Sequence, residues 1–233
     1  MTLSIQQLAR MFECGRIEPN ATKDGILSLC KTARECSFGV VFANLGYLAL
    51  VVDELKGSGV KVGVPIAFPF GATSPEVKSF EAKQAMALGA EEFDMVMNVA
   101  RLKSGDCDFV YQDIKTVVDA VGDFTTKVIL ETCWLTKAEI IKGSEIARSA
   151  GATFVKTSTG YGRYSARVVD VQLIQENVDI GIKAAGDIED LYTCLAMIRA
   201  GASRIGANPE DARLILREFR EQYGDQVDVE DRL

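Results

Sequence analysis

The chain has 233 residues, 48% of them apolar, and 33 acidic against 26 basic side chains, for a net charge of −7. This length and apolar content suit one large α/β domain, while the acidic balance argues against nucleic acid or an anionic membrane as a partner. There is no histidine, which excludes Ser-His-Asp and Cys-His catalysis and every His-ligated metal site. General acid–base chemistry must therefore fall to Lys, Asp, Glu, Tyr or Cys.

No apolar run approaches the length of a membrane span, and the N-terminus lacks the basic and apolar regions of a signal peptide. We therefore expect a cytoplasmic protein with no membrane partner. The six cysteines are scattered without a Cys-x-x-Cys pair, a distribution that predicts buried free thiols instead of disulfides or a zinc site.

Strands and helices are predicted to alternate along the chain. The predicted strands are residues 12–17, 38–43, 62–68, 93–97, 127–130, 154–160, 180–184 and 204–206. The predicted helices are residues 4–11, 22–36 (with Thr22 as N-cap), 47–56, 75–88, 108–121, 136–150, 165–176, 188–199 and 209–222. This alternation requires parallel strands joined by right-handed helical crossovers.

One helix-to-strand turn occurs three times, as Leu88-Gly89-Ala90, Ala150-Gly151-Ala152 and Ala200-Gly201-Ala202. Each glycine is the expected left-handed residue after a helix. A repeated βα unit with eight strands predicts a closed (β/α)₈ TIM barrel, a single domain over residues 1–233. A doubly wound open sheet is the alternative, but no Gly-x-Gly-x-x-Gly follows an early strand. Residues 224–233 are polar and acidic, and we expect a mobile tail there.

Lys156 stands inside a short apolar segment, residues 154–160, that reads as a buried strand ending at a glycine turn. Burying an ammonium group costs several kcal/mol unless it is paired or loses its proton. A lysine that loses its proton near neutral pH is a nucleophile able to form a Schiff base with a carbonyl. The alternative is a lysine just past the strand end that reaches solvent or pairs with a carboxylate.

Alternation of side chains along a strand decides which of them share a face. On this basis four consecutive strands place charged residues on one face, namely Asp94, Lys127 with Glu131, Lys156 and Lys183. Inward residues near the C-terminal ends of barrel strands are where catalytic groups lie. Two lysines about 6 Å apart at an effective dielectric near 20 would repel by about 2.8 kcal/mol, which lowers one pKa by roughly two units.

Each of these residues also has a structural interpretation. Lys127 and Glu131 could form an ion pair inside the barrel, and Asp94 could cap a backbone amide. Lys183 could be a loop lysine, because Gly186 ends its strand. Together, however, three lysines and two carboxylates on one face favour a functional site, since buried ions are retained only at a cost.

The segment Phe154-Val155-Lys156-Thr157-Ser158-Thr159-Gly160 is similar to the active-site signature of class I deoxyribose-phosphate aldolases. Supporting segments are Lys127-Val128-Ile129-Leu130-Glu131-Thr132, Glu92-Phe93-Asp94-Met95-Val96-Met97-Asn98, Phe68-Pro69-Phe70-Gly71 with Lys78 and Glu81, and Lys183-Ala184-Ala185-Gly186. The resemblance implies a cofactor-free (β/α)₈ lyase that reversibly cleaves 2-deoxyribose 5-phosphate to acetaldehyde and glyceraldehyde 3-phosphate.

The resemblance also implies roles for individual residues. Lys156 would form the imine, Lys183 would lower its pKa, and Asp94 would act through a water in proton transfer. The substrate-binding candidates are Lys127, Glu131, Thr157, Ser158, Gly160, Gly186, Asp187, Gly206, Ala207 and Asn208. No metal is implied. The expected binding partner is a small aldehyde or sugar substrate, and a homo-oligomer is an additional possibility.

Four segments depart from the family pattern. Glu13-Cys14-Gly15 stands where the family has Asp-His-Thr, and Val41-Phe42-Ala43-Asn44-Leu45 stands for Val-Cys-Val-Asn-Pro. Gly186-Asp187 replaces Gly-Gly, and Gly206-Ala207-Asn208 replaces Gly-Thr-Ser. The last two places help to bind phosphate in the family. The alternatives are therefore an aldolase for a non-phosphorylated substrate or for a carboxylated one, the latter met by Arg16, Arg163 or Arg204, and a catalytically silent barrel that binds a small carbonyl metabolite.

Overall fold

The computed structural model describes residues 2–228. Its centre is a closed barrel of eight parallel strands, β2 to β9, each hydrogen-bonded to its neighbours in chain order and closed by pairing of β2 with β9. The strands are β1 Thr2–Ser4, β2 Phe12–Arg16, β3 Val40–Ala43, β4 Lys61–Ile66, β5 Glu92–Val96, β6 Thr125–Ile129, β7 Phe154–Lys156, β8 Gly181–Ala185, β9 Arg204–Ala207 and β10 Gln226–Asp228. The predicted (β/α)₈ barrel is confirmed.

Helices lie between the successive strands. They are α1 Ile5–Met11, α2 Lys23–Cys36, α3 Leu45–Leu55, α4 Pro75–Ala87, α5 Val99–Lys103, α6 Cys107–Val121, α7 Lys137–Ser149, α8 Val168–Asn177, α9 Leu191–Arg199 and α10 Pro209–Tyr223, with a 3₁₀ helix at Thr132–Trp134. None of the helices in residues 2–228 is both long and apolar enough to span a membrane.

The helix caps and glycine turns predicted from the sequence have the expected geometry. The hydroxyl of Thr22 accepts a hydrogen bond from the Gly25 amide and caps α2, and Thr136 with Glu139 forms a reciprocal capping box on α7. The three repeated turns hold glycine in the left-handed region, with φ values of 102°, 92° and 114° at Gly89, Gly151 and Gly201.

Two element boundaries near the site differ from the prediction. Strand β7 ends at Lys156, so that residues 157–160 form a loop instead of the end of the strand. Helix α9 begins at Leu191, capped by Asp190, and not at residue 188. The reason is that Gly186 and Asp187 both have positive φ, 90° and 56°, which turns the chain away before a helix can begin.

The two ends of the described chain meet in an antiparallel pair, in which Leu3 lies opposite Val227 and both side chains are buried. The expectation of a mobile tail from Gly224 is therefore corrected for Gln226–Asp228, because burial of Val227 gives this polar segment one apolar anchor. The remainder of the predicted tail, residues 229–233, lies outside the described residues.

Side chains alternate along the barrel strands, so that one set points outward to the helices and the other points into the barrel. Outward-facing apolar side chains such as Phe93, Met95 and Val128 are fully buried beneath the helices. The inward positions of several strands carry charged side chains that are just as buried. Because most barrels fill this space with branched apolar residues, the charged interior marks the functional region.

Candidate active site

A cluster of buried charged side chains fills the centre of the barrel. Its lysines come from three adjacent strands, Lys127 on β6, Lys156 on β7 and Lys183 on β8, and Asp94 lies in register with Lys127 on β5. Lys156 lies in register with Ile129, two residues beyond Lys127, which places it nearer the C-terminal end of the barrel.

Asp94 is the shared partner of all three lysines. Its Oδ2 accepts hydrogen bonds from Lys183 Nζ at 2.7 Å and Lys156 Nζ at 3.4 Å, and its Oδ1 accepts one from Lys127 Nζ at 3.1 Å. Burial alone would raise the pKa of the Asp94 carboxyl, but attraction to Lys127, Lys183 and Lys156 outweighs it and holds that pKa well below its usual range. Asp94 is therefore a carboxylate at every physiological pH.

Glu13 is the second central carboxylate, and sequence reasoning did not place it in the site. Its Oε2 lies 2.5 Å from Lys183 Nζ and 3.3 Å from Lys127 Nζ, and its Oε1 lies 3.1 Å from Arg204 Nε. A signal for it existed, because Glu13 is a charged residue near the start of a predicted barrel strand, directly after the apolar Phe12.

Lys127 belongs to the base of the cluster. Its Nζ lies 2.5 Å from Glu92 Oε2 and contacts Glu13 and Asp94 as well. Burial would lower the pKa of Lys127, but these three carboxylates raise it above its ordinary value. Lys127 is thus a fixed positive charge. The alternative in which it pairs with Glu131 does not hold, because the Glu131 carboxylate contacts Thr159 instead.

Lys156 is the lysine of the cluster whose pKa is lowered. Burial lowers its pKa most, the neighbouring Lys183 lowers it further, and Asp94 and Glu13 oppose them, with a net pKa of about 8. Both ammonium groups contact the same oxygen of Asp94, so they lie within about 6 Å of each other, where like charges repel appreciably. With this pKa about a tenth of Lys156 is neutral at pH 7, far more than for an ordinary lysine.

An open cavity of about 300 Å³ lies above this cluster at the C-terminal ends of the strands. Nine predicted site residues line it: Asp94, Lys156, Lys183, Gly160, Gly186, Asp187, Gly206, Ala207 and Asn208. The structure thus joins the lysine pair and the segments that follow β7, β8 and β9 in one cavity.

Four predicted substrate-binding residues do not reach the cavity surface, namely Lys127, Glu131, Thr157 and Ser158. Glu131 has a φ of 55°, and its carboxylate turns to accept hydrogen bonds from the amide and hydroxyl of Thr159. Thr157 Oγ1 accepts one from the Ala185 amide at 3.2 Å, and Ser158 is fully buried. Lys127 thus lies at the base of the charged cluster, and the other three hold the loop of residues 157–160 in place.

The three arginines considered for a carboxylated substrate contact other groups. Arg16 forms an ion pair with Glu210, Arg163 stacks 4.2 Å from the centre of the Trp134 ring, and Arg204 faces Glu13. None of the three lines the cavity, so the structure offers no arginine to a substrate carboxylate there.

Other ligand chemistry is limited in this region. Within residues 2–228, no group of three or more Cys, Asp or Glu side chains is arranged to hold a metal ion. All six cysteines are free thiols, as the sequence predicted.

The comparisons with known proteins agree on the family. The model of the DeoC/LacD family aldolases matches residues 15–208. Proteins named deoxyribose-phosphate aldolase from Exiguobacterium sp. and Clostridium tetani are 47% and 49% identical, over 87% and 82% of this chain and 93% and 90% of their own.

Solved structures agree with this result. A putative deoxyribose-phosphate aldolase from Coccidioides immitis superposes with a TM-score of 0.90 at 36% identity, covering 94% of this chain and 88% of its own. Deoxyribose phosphate aldolase from Aeropyrum pernix, described as tetrameric, gives 0.85 at 27% identity, covering 93% of this chain and 92% of its own.

The barrel, with these relatives, defines the protein as a carbon–carbon lyase of the aldolase class. Within that class, the chain belongs to the DeoC/LacD aldolases, and specifically to the deoxyribose-phosphate aldolase family.

Proposed function

We propose that this protein is a Schiff-base aldolase that reversibly cleaves 2-deoxyribose 5-phosphate to acetaldehyde and glyceraldehyde 3-phosphate, with Lys156 as the nucleophile. The observation that carries the proposal is a lysine with a pKa of about 8 that lines an open cavity beside Lys183 and Asp94. The names of the relatives support the substrate.

The chemistry follows from the neutral amine of Lys156. Its nitrogen adds to the C1 aldehyde, and loss of water gives an iminium ion. The C3 hydroxyl then gives up its proton, the C2–C3 bond breaks, and its electrons form the enamine as glyceraldehyde 3-phosphate leaves. Protonation of the enamine at C2 and addition of water release acetaldehyde and restore the amine.

Asp94 and Lys183 support this sequence in different ways. Asp94 stays ionised between three lysines, which makes it a weak base but a good acceptor for orienting a reacting water and for balancing the iminium charge. Lys183 acts on Lys156 through its charge, since it is the second largest cause of the lowered pKa. We assign Lys127, Glu131, Thr157 and Ser158 a positioning role behind these groups.

A catalytically silent barrel was expected only if the altered loops closed the cavity. The cavity is open, and Lys156 lies on its surface. This observation favours an active aldolase over a catalytically silent barrel that only binds a small carbonyl metabolite.

Location and assembly belong to the same proposal. Six free thiols support a cytoplasmic protein. The exposed side chains of Phe70, Val77 and Phe80, together with the tetramer described for the Aeropyrum pernix protein, support a homo-oligomer.

The test is to trap the imine with acetaldehyde and borohydride and to locate the adduct by mass spectrometry. We expect one reduced ethyl adduct at Lys156 and none in Lys156→Met. The exposed Lys83 provides a matched control, since Lys83→Met should keep the adduct. Labelling spread over surface lysines and unchanged in Lys156→Met would refute the assignment.

A further inference from the structure

The mouth of the active-site cavity is strongly acidic. Four carboxylates line it above the buried cluster, namely Glu18, Asp187, Glu189 and Asp211. The cations among the lining residues are Lys156 and Lys183, both nearly buried at the base. A substrate group that lies at the mouth therefore meets negative charge.

These carboxylates are not neutralised by nearby cations. Within residues 2–228, no ion pair joins Glu18, Asp187 or Glu189 to a lysine or arginine. Asp211 accepts only a hydrogen bond from the side-chain amide of Asn208 at 3.1 Å. The arginine on the adjoining β2 segment, Arg16, is paired with Glu210.

The helix N-terminus at the mouth is also unfavourable for an anion. Helix α10 begins beside the cavity, just after Ala207 and Asn208, and its first turn already carries Glu210 and Asp211. Acidic side chains in the first turn satisfy the positive end of a helix. A phosphate would have to displace or approach these carboxylates to use the amides of that turn.

Apolar side chains form another part of the mouth. Ile17, Tyr161 and Ile188 line the cavity, and the Tyr161 ring meets Phe68 edge to face at 5.6 Å. Apolar side chains beside carboxylates, with no lysine or arginine of residues 2–228 lining the cavity except the buried Lys156 and Lys183, suit an uncharged hydroxyaldehyde, whose hydroxyl groups donate hydrogen bonds to carboxylate oxygens.

We infer that Glu18, Asp187, Glu189 and Asp211 are specificity-determining residues that reduce the preference for phosphorylated substrates and favour unphosphorylated 2-deoxy sugars and uncharged hydroxyaldehydes. The inference rests on the proposed aldolase function, because it concerns the end of the substrate remote from the imine. The bond that breaks is the same in both sugars, and the remote charge alone differs.

Asp187 is the most useful position to change. It adopts a φ of 56°, a conformation that Asn and Gly accept as readily as Asp. Its neighbour Gly186 must remain glycine, since a Cβ there would lie 2.6 Å from the Ser165 side chain. Asp187→Asn therefore removes the charge while keeping the shape, and Asp187→Gly removes the side chain without backbone strain.

The experiment measures kcat/KM for 2-deoxyribose 5-phosphate and for 2-deoxyribose and compares their ratio between proteins. We expect a wild-type ratio within about tenfold of unity, and a rise of about tenfold in Asp187→Asn and Asp187→Gly. The double variant Asp187→Asn/Glu189→Gln should raise it further. Added salt should raise the wild-type ratio, because it screens exposed charges.

The matched control is Glu176→Gln, which removes an exposed carboxylate on α8 that does not line the cavity; its ratio should equal that of wild type. A wild type that prefers the phosphorylated sugar by a hundredfold or more, with a ratio unmoved by the Asp187 variants and by salt, would overturn the inference while leaving the aldolase intact. No cleavage of either sugar and no adduct at Lys156 would refute the proposed function and this inference together.

Discussion

The reactivity of Lys156 results from opposing local effects. Burial and the charge of Lys183 favour the neutral amine, whereas Asp94 and Glu13 favour the ammonium ion. Since the pKa of about 8 lies above neutral pH, the reactive fraction of Lys156 grows as the pH rises and levels off beyond that value. Imine trapping in the wild type should follow this curve.

Replacement of Lys183 tests the largest effect of a neighbouring charge on the pKa of Lys156. In Lys183→Leu the pKa of Lys156 should rise, and trapping near pH 7 should slow by up to about a hundredfold if the shift reaches two units. Recovery at higher pH is part of the expectation. The readout is the pH dependence of the trapping rate with acetaldehyde, and superimposable profiles for the two proteins would show that Lys183 does not act on Lys156.

This variant also leaves Glu13 and Asp94 short of a partner, because Lys183 contacts both. Removing one member of a buried ion pair costs about 3–5 kcal/mol. The double variant Lys183→Leu/Glu13→Gln restores the charge balance and should recover part of that stability. Its Lys156 pKa should still exceed that of wild type, since Lys183 affects it more than Glu13 does.

Sequence reasoning located part of this cluster and missed part of it. Strand alternation was sufficient for Asp94, Lys127, Lys156 and Lys183, because each lies within a regular strand. It failed for Glu131, where β6 has already ended and a positive φ redirects the side chain. The contacts of Glu13 depend on closure of β2 against β9, a long-range pairing that no local pattern reports.

At the scale of whole elements, helices α4 and α6 are joined by a buried ion pair. Lys78 Nζ donates to Asp113 Oδ2 at 2.5 Å and to the Val96 carbonyl at 2.8 Å, and both side chains are fully buried. The pair therefore fixes the C-terminal end of β5, two residues beyond Asp94, to the helices outside the barrel.

Breaking this pair should destabilise the fold without altering the chemistry. We expect Lys78→Met to lose about 3–5 kcal/mol of unfolding free energy, because Asp113 is left buried and unpaired. Lys78→Met/Asp113→Leu should recover much of the loss, and the exposed Lys83→Met should lose little. Urea denaturation measures all three, and equal stabilities for Lys78→Met and Lys83→Met would contradict the prediction.

Element boundaries were less predictable than the elements themselves. The start of α9 was expected at residue 188, where Asp187 would be a suitable capping residue, but Asp187 has a left-handed backbone and the helix begins only after its cap at Asp190. Asp187 therefore does not cap α9 and lies on the cavity wall instead. A residue's preference for capping could not reveal which of two nearby aspartates is used.

At the scale of the whole molecule, the pairing of β1 with β10 joins the two ends of the described chain. The Ile5 amide also donates to the Asp225 carbonyl at 2.9 Å, which extends the connection to α1. Two strands of three residues carry too little periodicity to be predicted, whereas the eight barrel strands repeat with a helix between each pair.

This pairing should contribute to stability but not to catalysis. Val227→Asp places a charge where an apolar side chain is buried, and we expect a loss of about 2 kcal/mol in unfolding free energy with unchanged imine trapping. Gln226→Asp is the matched control, because it adds the same residue on the exposed face of the same strand. Similar unfolding midpoints for the two variants would show that the chain ends are not held together in solution.

The charged cluster has a consequence for the protein during its synthesis. Glu13 comes from the first barrel strand, Lys183 and Arg204 from the last two, and they meet only when β2 pairs with β9. Before the surrounding strands are in place, Lys156 is a solvated amine with an ordinary pKa, almost fully protonated at neutral pH and therefore slow to react with aldehydes. Because burial and the neighbouring Lys183 lower the pKa of Lys156, whereas Glu13 raises it, fast capture of acetaldehyde at neutral pH reports that β7 and β8 are packed together inside the assembled barrel.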